Sequence, residues 1–161
     1  MTVLVIGYGN PLRSDDGVGW VVAARLAADA RLDGARILEL HQLAPELALD
    51  VSQADLVILV DARADLAAGV VEAGRVAETG ASGTTWSHHL DPATLVALAV
   101  ELYGRAGVVH VVGVGVASLE IGERLSPLVE QAVDVAIETI ARIIAEADAS
   151  APGPVSAALD A

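Results

Sequence analysis

The chain has 161 residues, no cysteine, no lysine and a formal net charge of −13. The length suits a single domain with a sizeable core, while the missing residue types exclude disulfides, thiolate metal sites, Schiff-base chemistry and a phosphate-loop lysine. So acidic a chain, with no basic patch and no stacking aromatics, is not built for nucleic acid, and any metal it meets must be held by His, Asp or Glu.

Residues 2–8, TVLVIGY, open the chain directly as a β-branched run ending in Gly, the mark of a buried parallel strand. No basic segment or small-residue cleavage site precedes it, and no apolar run approaches the roughly 18 residues of a membrane span, so a cytoplasmic protein is expected. After a Gly-rich loop, DGVGWVVAARLAADA carries apolar residues at helical spacing to about Ala30. ARILELHQL (35–43) reads as a second strand, and Pro45 suits the first turn of a short helix that ELALDVSQA continues. DLVILVDA (55–62) is the most continuous apolar strand, and VVEAGRVA (70–77) a weaker one fit for a sheet edge. A polar stretch, 78–92, ends where Asp91 can cap a helix that has Pro92 at its first position and runs through Leu102. GVVHVVGVGV (107–116) is another central strand. Apolar residues at 125, 128, 129, 132, 133, 136, 137, 140 and 144 predict a long amphipathic helix. The small residues and prolines of 147–161 predict a disordered tail, leaving residues 1–146 as one domain. Strands that alternate with helices define an α/β class: a three-layer fold, with a mostly parallel twisted sheet, helices on both faces and one weaker edge strand.

Ligands on such sheets gather at the carboxyl ends of the strands. At the first of these ends stand Gly7, Gly9, Asn10, Asp15 and Asp16. A dinucleotide fingerprint would need a third Gly at the position of Leu12, and two carboxylates at the helix start oppose a phosphate. Asp15-Asp16 can instead be a helix cap with a dipole-favoured acid, but Gly17 and Gly19 cost a helix about 1 kcal/mol each and suggest close approach by a ligand or another chain. Asp61, after a run of apolar residues, either caps a turn or points into the strand-end crevice. His88 and His89 are adjacent, so in an extended segment only one of them faces a given site. His41 lies on the second strand, and His110, between Val109 and Val111, reads as a core histidine. Two carboxylates with an imidazole suit a divalent cation such as nickel or zinc. Ser14, Ser87 and Ser118 lack a nucleophile-elbow pattern, and no H-E-x-x-H helix is present.

The segments VIGYGNPLRSDDGVG, ADLVILVDA, SHHLDPATLVALAVELYG and VVGVGVASLEIGERLSPLVEQAV, in that order over residues 2–144, resemble the nickel–iron hydrogenase maturation endopeptidases. The resemblance implies an α/β enzyme that removes a C-terminal extension from the hydrogenase large-subunit precursor after nickel insertion. It also implies metal ligands at Asp16, Asp61 and His88, with His89 the alternative to His88, and nickel carried by the substrate, or zinc or another divalent cation in its place. Bound to these residues, the metal would dock the adjacent peptide bond and either polarise its carbonyl or supply a bound hydroxide. Arg63, where a smaller apolar residue is expected, departs from the family pattern and reads as a solvated side chain or a contact to the substrate tail. The other functions open to the chain are a non-catalytic metal-binding assembly module for the large subunit and a nucleotide-binding regulator. A monomer is the simplest expectation.

Overall fold

The computed structural model describes residues 1–77 and 90–151. Among these residues five strands make one sheet: β1 (Val3–Tyr8), β2 (Arg36–Leu40), β3 (Leu56–Arg63), β4 (Val71–Arg75) and β5 (Val108–Gly115), in the order β2-β1-β3-β5-β4. Every pairing is parallel except β4 against β5, which is antiparallel, so the weaker run is the edge strand the sequence predicts. The chain passes from β1 outward to β2 and then back to β3 on the other side of β1. The direction of winding therefore reverses between β1 and β3, and a crevice opens outside their carboxyl ends.

Among the described residues four α-helices cover the sheet: α1 (Val18–Ala27), α2 (Leu47–Gln53), α3 (Pro92–Tyr103) and α4 (Pro127–Ser150). Helices α1 and α4 lie on one face over Val5, Ile58, Val60 and Val112. Helices α2 and α3 lie on the other over Leu4, Ile6, Val57 and Leu59. Because β3 is covered on both sides, its first five residues are all buried and apolar rather than alternating with polar ones. Asp91 caps α3 by accepting from the Thr94 N–H at 2.7 Å, with Pro92 in the first turn, as expected. Pro45 lies in the turn before α2, which begins only at Leu47. Helix α4 continues through Ser150, so residues 147–150 of the expected tail are helical and the boundary at 146 moves outward, while residues 152–161 lie outside the described residues. No helix among the described residues is long and apolar enough to cross a membrane.

The glycines of the first loop serve close packing inside this chain. A Cβ on Gly7 would lie 2.0 Å from the Gly19 carbonyl oxygen, and one on Gly17 would lie 2.9 Å from the Pro11 Cα. A Cβ on Gly19 would be 2.9 Å from backbone atoms of both Tyr8 and Val60. The expectation that Gly17 and Gly19 admit a ligand or a second chain is therefore corrected: what approaches them is β1, β3 and the loop between β1 and α1. Gly7→Ala is expected to push α1 off the sheet and cost about 1–3 kcal/mol, the usual range for overpacking, as read from urea unfolding midpoints. An unchanged midpoint would show that the helix yields without cost.

Candidate active site

Two residues predicted as metal ligands meet at the crevice between β1 and β3. Asp16 and Asp61 line one cavity of about 350 Å³, together with Tyr8, Gly9, His41, Gln42, Leu43, Leu90, Asp91 and Pro92. Two of the larger cavities among the described residues, of about 640 and 620 Å³, involve Met1 and the later turns of α4. The second includes Leu56 and Val108, the first residues of β3 and β5, which puts it at the amino ends of the strands and away from the switch point.

Asp16 belongs to a single 3-10 turn, Ser14–Gly17, that leads into α1. Its Oδ2 accepts the Asn10 N–H at 2.7 Å, and the Asn10 Oδ1 accepts the Leu12 N–H at 2.9 Å. Gly9 makes the bend possible with φ +140°, a conformation that side chains rarely adopt, and its Cβ position is 2.1 Å from the Asp16 carbonyl oxygen. The opening loop is thus a hinge that delivers Asp16 to the cavity.

Asp61 follows the parity of Val57 and Leu59 along β3, and Tyr8 that of Leu4 and Ile6 along β1, so both stand on the α2–α3 side of the sheet. Burial pushes the Asp61 carboxyl up to about 6; the Tyr8 hydroxyl and Arg63 pull it partly back, and the Asp16 and Asp65 charges add to the rise. Burial, with the Asp61 charge beside it, also drives the Tyr8 phenol far above its ordinary value. A largely buried carboxylate with the Asp16 and Asp65 charges near it, offset only in part by Arg63, is a site that gains from a cation. Among the described residues, no three His, Asp or Glu side chains are grouped so as to hold a metal ion. His88, the third predicted ligand, and its alternative His89 lie outside the described residues.

Asp15 has a different task from its neighbour. It is fully buried, and its Oδ2 accepts from the Ala117 N–H (2.9 Å), the Ser118 N–H (2.9 Å) and the Ser126 hydroxyl (2.8 Å). Its Oδ1 accepts from the Ser126 N–H at 2.6 Å. Burial alone would raise this carboxyl, but the donors from Ser126, Ser118 and Ala117 outweigh it and hold the group below the usual range. The acid pair is thus split: Asp15 ties the segment after β5 and the start of α4 to the first loop, and Asp16 faces the cavity.

His41 lies just beyond the end of β2, on the cavity wall, with its ring edge-on to Trp20 at 5.2 Å. Trp20 is itself fixed by donating from Nε1 to the Leu40 carbonyl at 2.9 Å. His110 is half-buried on the 620 Å³ cavity, where burial and the nearby Arg75 lower its pKa. Arg63 forms a two-pronged ion pair with Asp65, so it is neither freely solvated nor aimed into the cavity. Tyr8 and His41 were not singled out from sequence for this site. For Tyr8 the signal was present, since strand parity puts it on the same side as Asp61.

A scan of family models and a search of curated proteins find no match. Solved structures do match. The chain is similar to the nickel–iron hydrogenase maturation protease HycI from Thermococcus kodakarensis KOD1, with a TM-score of 0.72 and 22% identity over 89% of this chain and 92% of that one. It is similar to the hydrogenase maturating endopeptidase HybD from E. coli, with a TM-score of 0.70 and 25% identity over 91% and 94%. A solution structure of an E. coli endopeptidase gives a TM-score of 0.74, again at 25% identity over 91% and 94%. The three-layer α/β architecture is that of the hydrogenase maturation proteases, and the resemblance carried by the sequence motifs is borne out.

Proposed function

We propose that this chain is an endopeptidase that removes the C-terminal extension of a nickel–iron hydrogenase large-subunit precursor once nickel has been inserted. The observation that carries this is the convergence of Asp16 and Asp61 on one acidic cavity, at the switch point of a fold shared with solved hydrogenase maturation endopeptidases. Nickel is cargo of the substrate. Asp16, Asp61 and His88 recognise it, and in doing so bring the neighbouring peptide bond to the cavity. The metal supplies Lewis acidity toward that carbonyl. An unfilled precursor offers no cation to the acids of the cavity and is left uncut. Asp91 adds negative charge to the same cavity while capping α3.

The ligand assignment is tested by Asp16→Ala, His88→Ala and His89→Ala acting on nickel-loaded precursor. The first two are expected to lower kcat/KM at least about a hundredfold, the upper end of what disturbing a metal site costs, and the third by less than about threefold. Asp16→Ala and His88→Ala cutting at the wild-type rate would exclude this metal-reading role. A stable precursor complex that is never cut would make the chain an assembly module instead.

A further inference from the structure

The loop that leads to Asp16, with the segment 119–122 bonded to it, carries an apolar knob. Ile121 is 94% exposed and Leu12 55%, and Leu119 is exposed as well. Single exposed aliphatic residues are ordinary on protein surfaces. These three differ because they stand on two segments locked together by hydrogen bonds. Gly122 N–H donates to the Leu12 carbonyl at 2.9 Å and Ser14 N–H to the Gly122 carbonyl at 2.7 Å. The Ser14 hydroxyl donates to the Glu120 carbonyl at 2.8 Å, and Arg13 Nε donates to the Leu119 carbonyl at 3.1 Å. Ser14 keeps a left-handed φ of 52° to make these bonds. Asp15 anchors the other end of the segment at Ala117 and Ser118.

The knob shares its loop with Asp16 of the candidate active site. Leu12 and Arg13 lie between Asn10 and Asp16, whose own hydrogen bond closes the loop at the cavity. Leu12 is four residues from Asp16, and Ile121 adjoins Gly122, which bonds to Leu12, so the knob belongs to the surface that a precursor with its C-terminal peptide at Asp16 would face. An apolar surface held in place before binding loses little entropy when it is covered, which is the property of an interface anchor.

We propose that Leu12, Leu119 and Ile121 form the docking surface for the folded body of the substrate, a protein with an apolar recess next to its C-terminal extension. The proposal rests on the protease function above. It adds that recognition has two parts, metal in the cavity and an apolar contact outside it. Arg13, Glu120, Glu123 and Arg124, all exposed and of mixed sign, flank the knob as a polar rim.

The test compares wild type, Ile121→Ser, the double variant Leu12→Ser/Ile121→Ser, and Ile121→Leu. Each is measured for KM and kcat on nickel-loaded folded precursor, for Kd of the same precursor, and for mass by sedimentation. The double variant is expected to raise KM and Kd at least tenfold with kcat within twofold, and Ile121→Leu to behave like wild type. Unchanged KM and Kd in the double variant would overturn the docking surface while leaving the protease function intact. A wild-type dimer that the double variant dissociates, with KM unchanged, would assign the knob to a second copy of this chain and also overturn it. If wild type binds but does not cut, the protease function fails alone, and the Kd of the double variant still decides the knob: weakened supports it, unchanged refutes it. If wild type neither cuts nor binds the precursor, both fall.

Discussion

Asp61→Asn is expected to abolish cleavage while making the free protein more stable at neutral pH. The two effects have one origin. Asp61 sits at the end of β3 in a largely buried position where its charge costs energy, and its carboxyl is pushed up to about 6 from an ordinary 3.8. A carboxyl whose folded-state pKa is raised binds protons more tightly in the folded chain than in the unfolded one, so its ionisation opposes folding. That penalty is absent below the unfolded value and fully present above about 6. A shift near two pH units corresponds to at most about 3 kcal/mol, and the expected gain for Asp61→Asn at pH 7.5 is about 1–3 kcal/mol. The gap between the variants should close as pH falls from 6 toward 4, where Asp61 is protonated and resembles Asn. Cleavage should decline over the same window, because the neutral acid cannot hold a cation. A variant that is less stable than wild type at pH 7.5, or that cuts at the wild-type rate, would contradict this account of the site.

Asp15→Ala is expected to be the most destabilising single change, costing about 3–5 kcal/mol, because it removes a fully buried carboxylate and leaves its four donors without an acceptor at once. The Asp15 carboxyl is held below its ordinary range, the reverse of Asp61. Its contribution is therefore complete above the unfolded value of 3.8 and is lost as pH falls through the lower folded value. The difference between wild type and Asp15→Ala, measured by urea unfolding, should be constant from pH 5 to 8 and shrink only in stronger acid. A cost below about 1 kcal/mol would mean that the segment 117–126 holds its shape without the carboxylate. Since that segment carries Leu119 and Ile121, the same variant should also weaken precursor binding.

The layers and the edge strand were legible in the sequence because they follow from local patterns. The unbroken run of β3 needs cover on both faces, the weak run of β4 suits an edge, and Asp91-Pro92 is a complete helix-start signal. Asp16 and Asp61 could be placed by the rule that ligands gather at strand ends, joined to the motif resemblance. Asp15 could not be read in this way. Its partners lie more than 100 residues further on, and adjacency to Asp16 suggested a shared role that the fold divides. Gly17 and Gly19 misled for a similar reason, since the atoms that crowd them belong to β1, β3 and Pro11 of the same chain. The end of α4 was placed too early because the run Ala147–Ser150 lacks large apolar residues. Ala and Asp continue a helix that is already propagating, and it stops at Ala151, the residue before Pro152, where the helical conformation is disfavoured.

The most direct measurement is the intact mass of a nickel–iron hydrogenase large-subunit precursor, prepared with and without nickel, after incubation with this protein. Loss of a C-terminal peptide from the nickel-loaded form alone is the predicted result. Equal cleavage of both forms, or of neither, would contradict the claim that the acids of this cavity read the metal before the bond is cut.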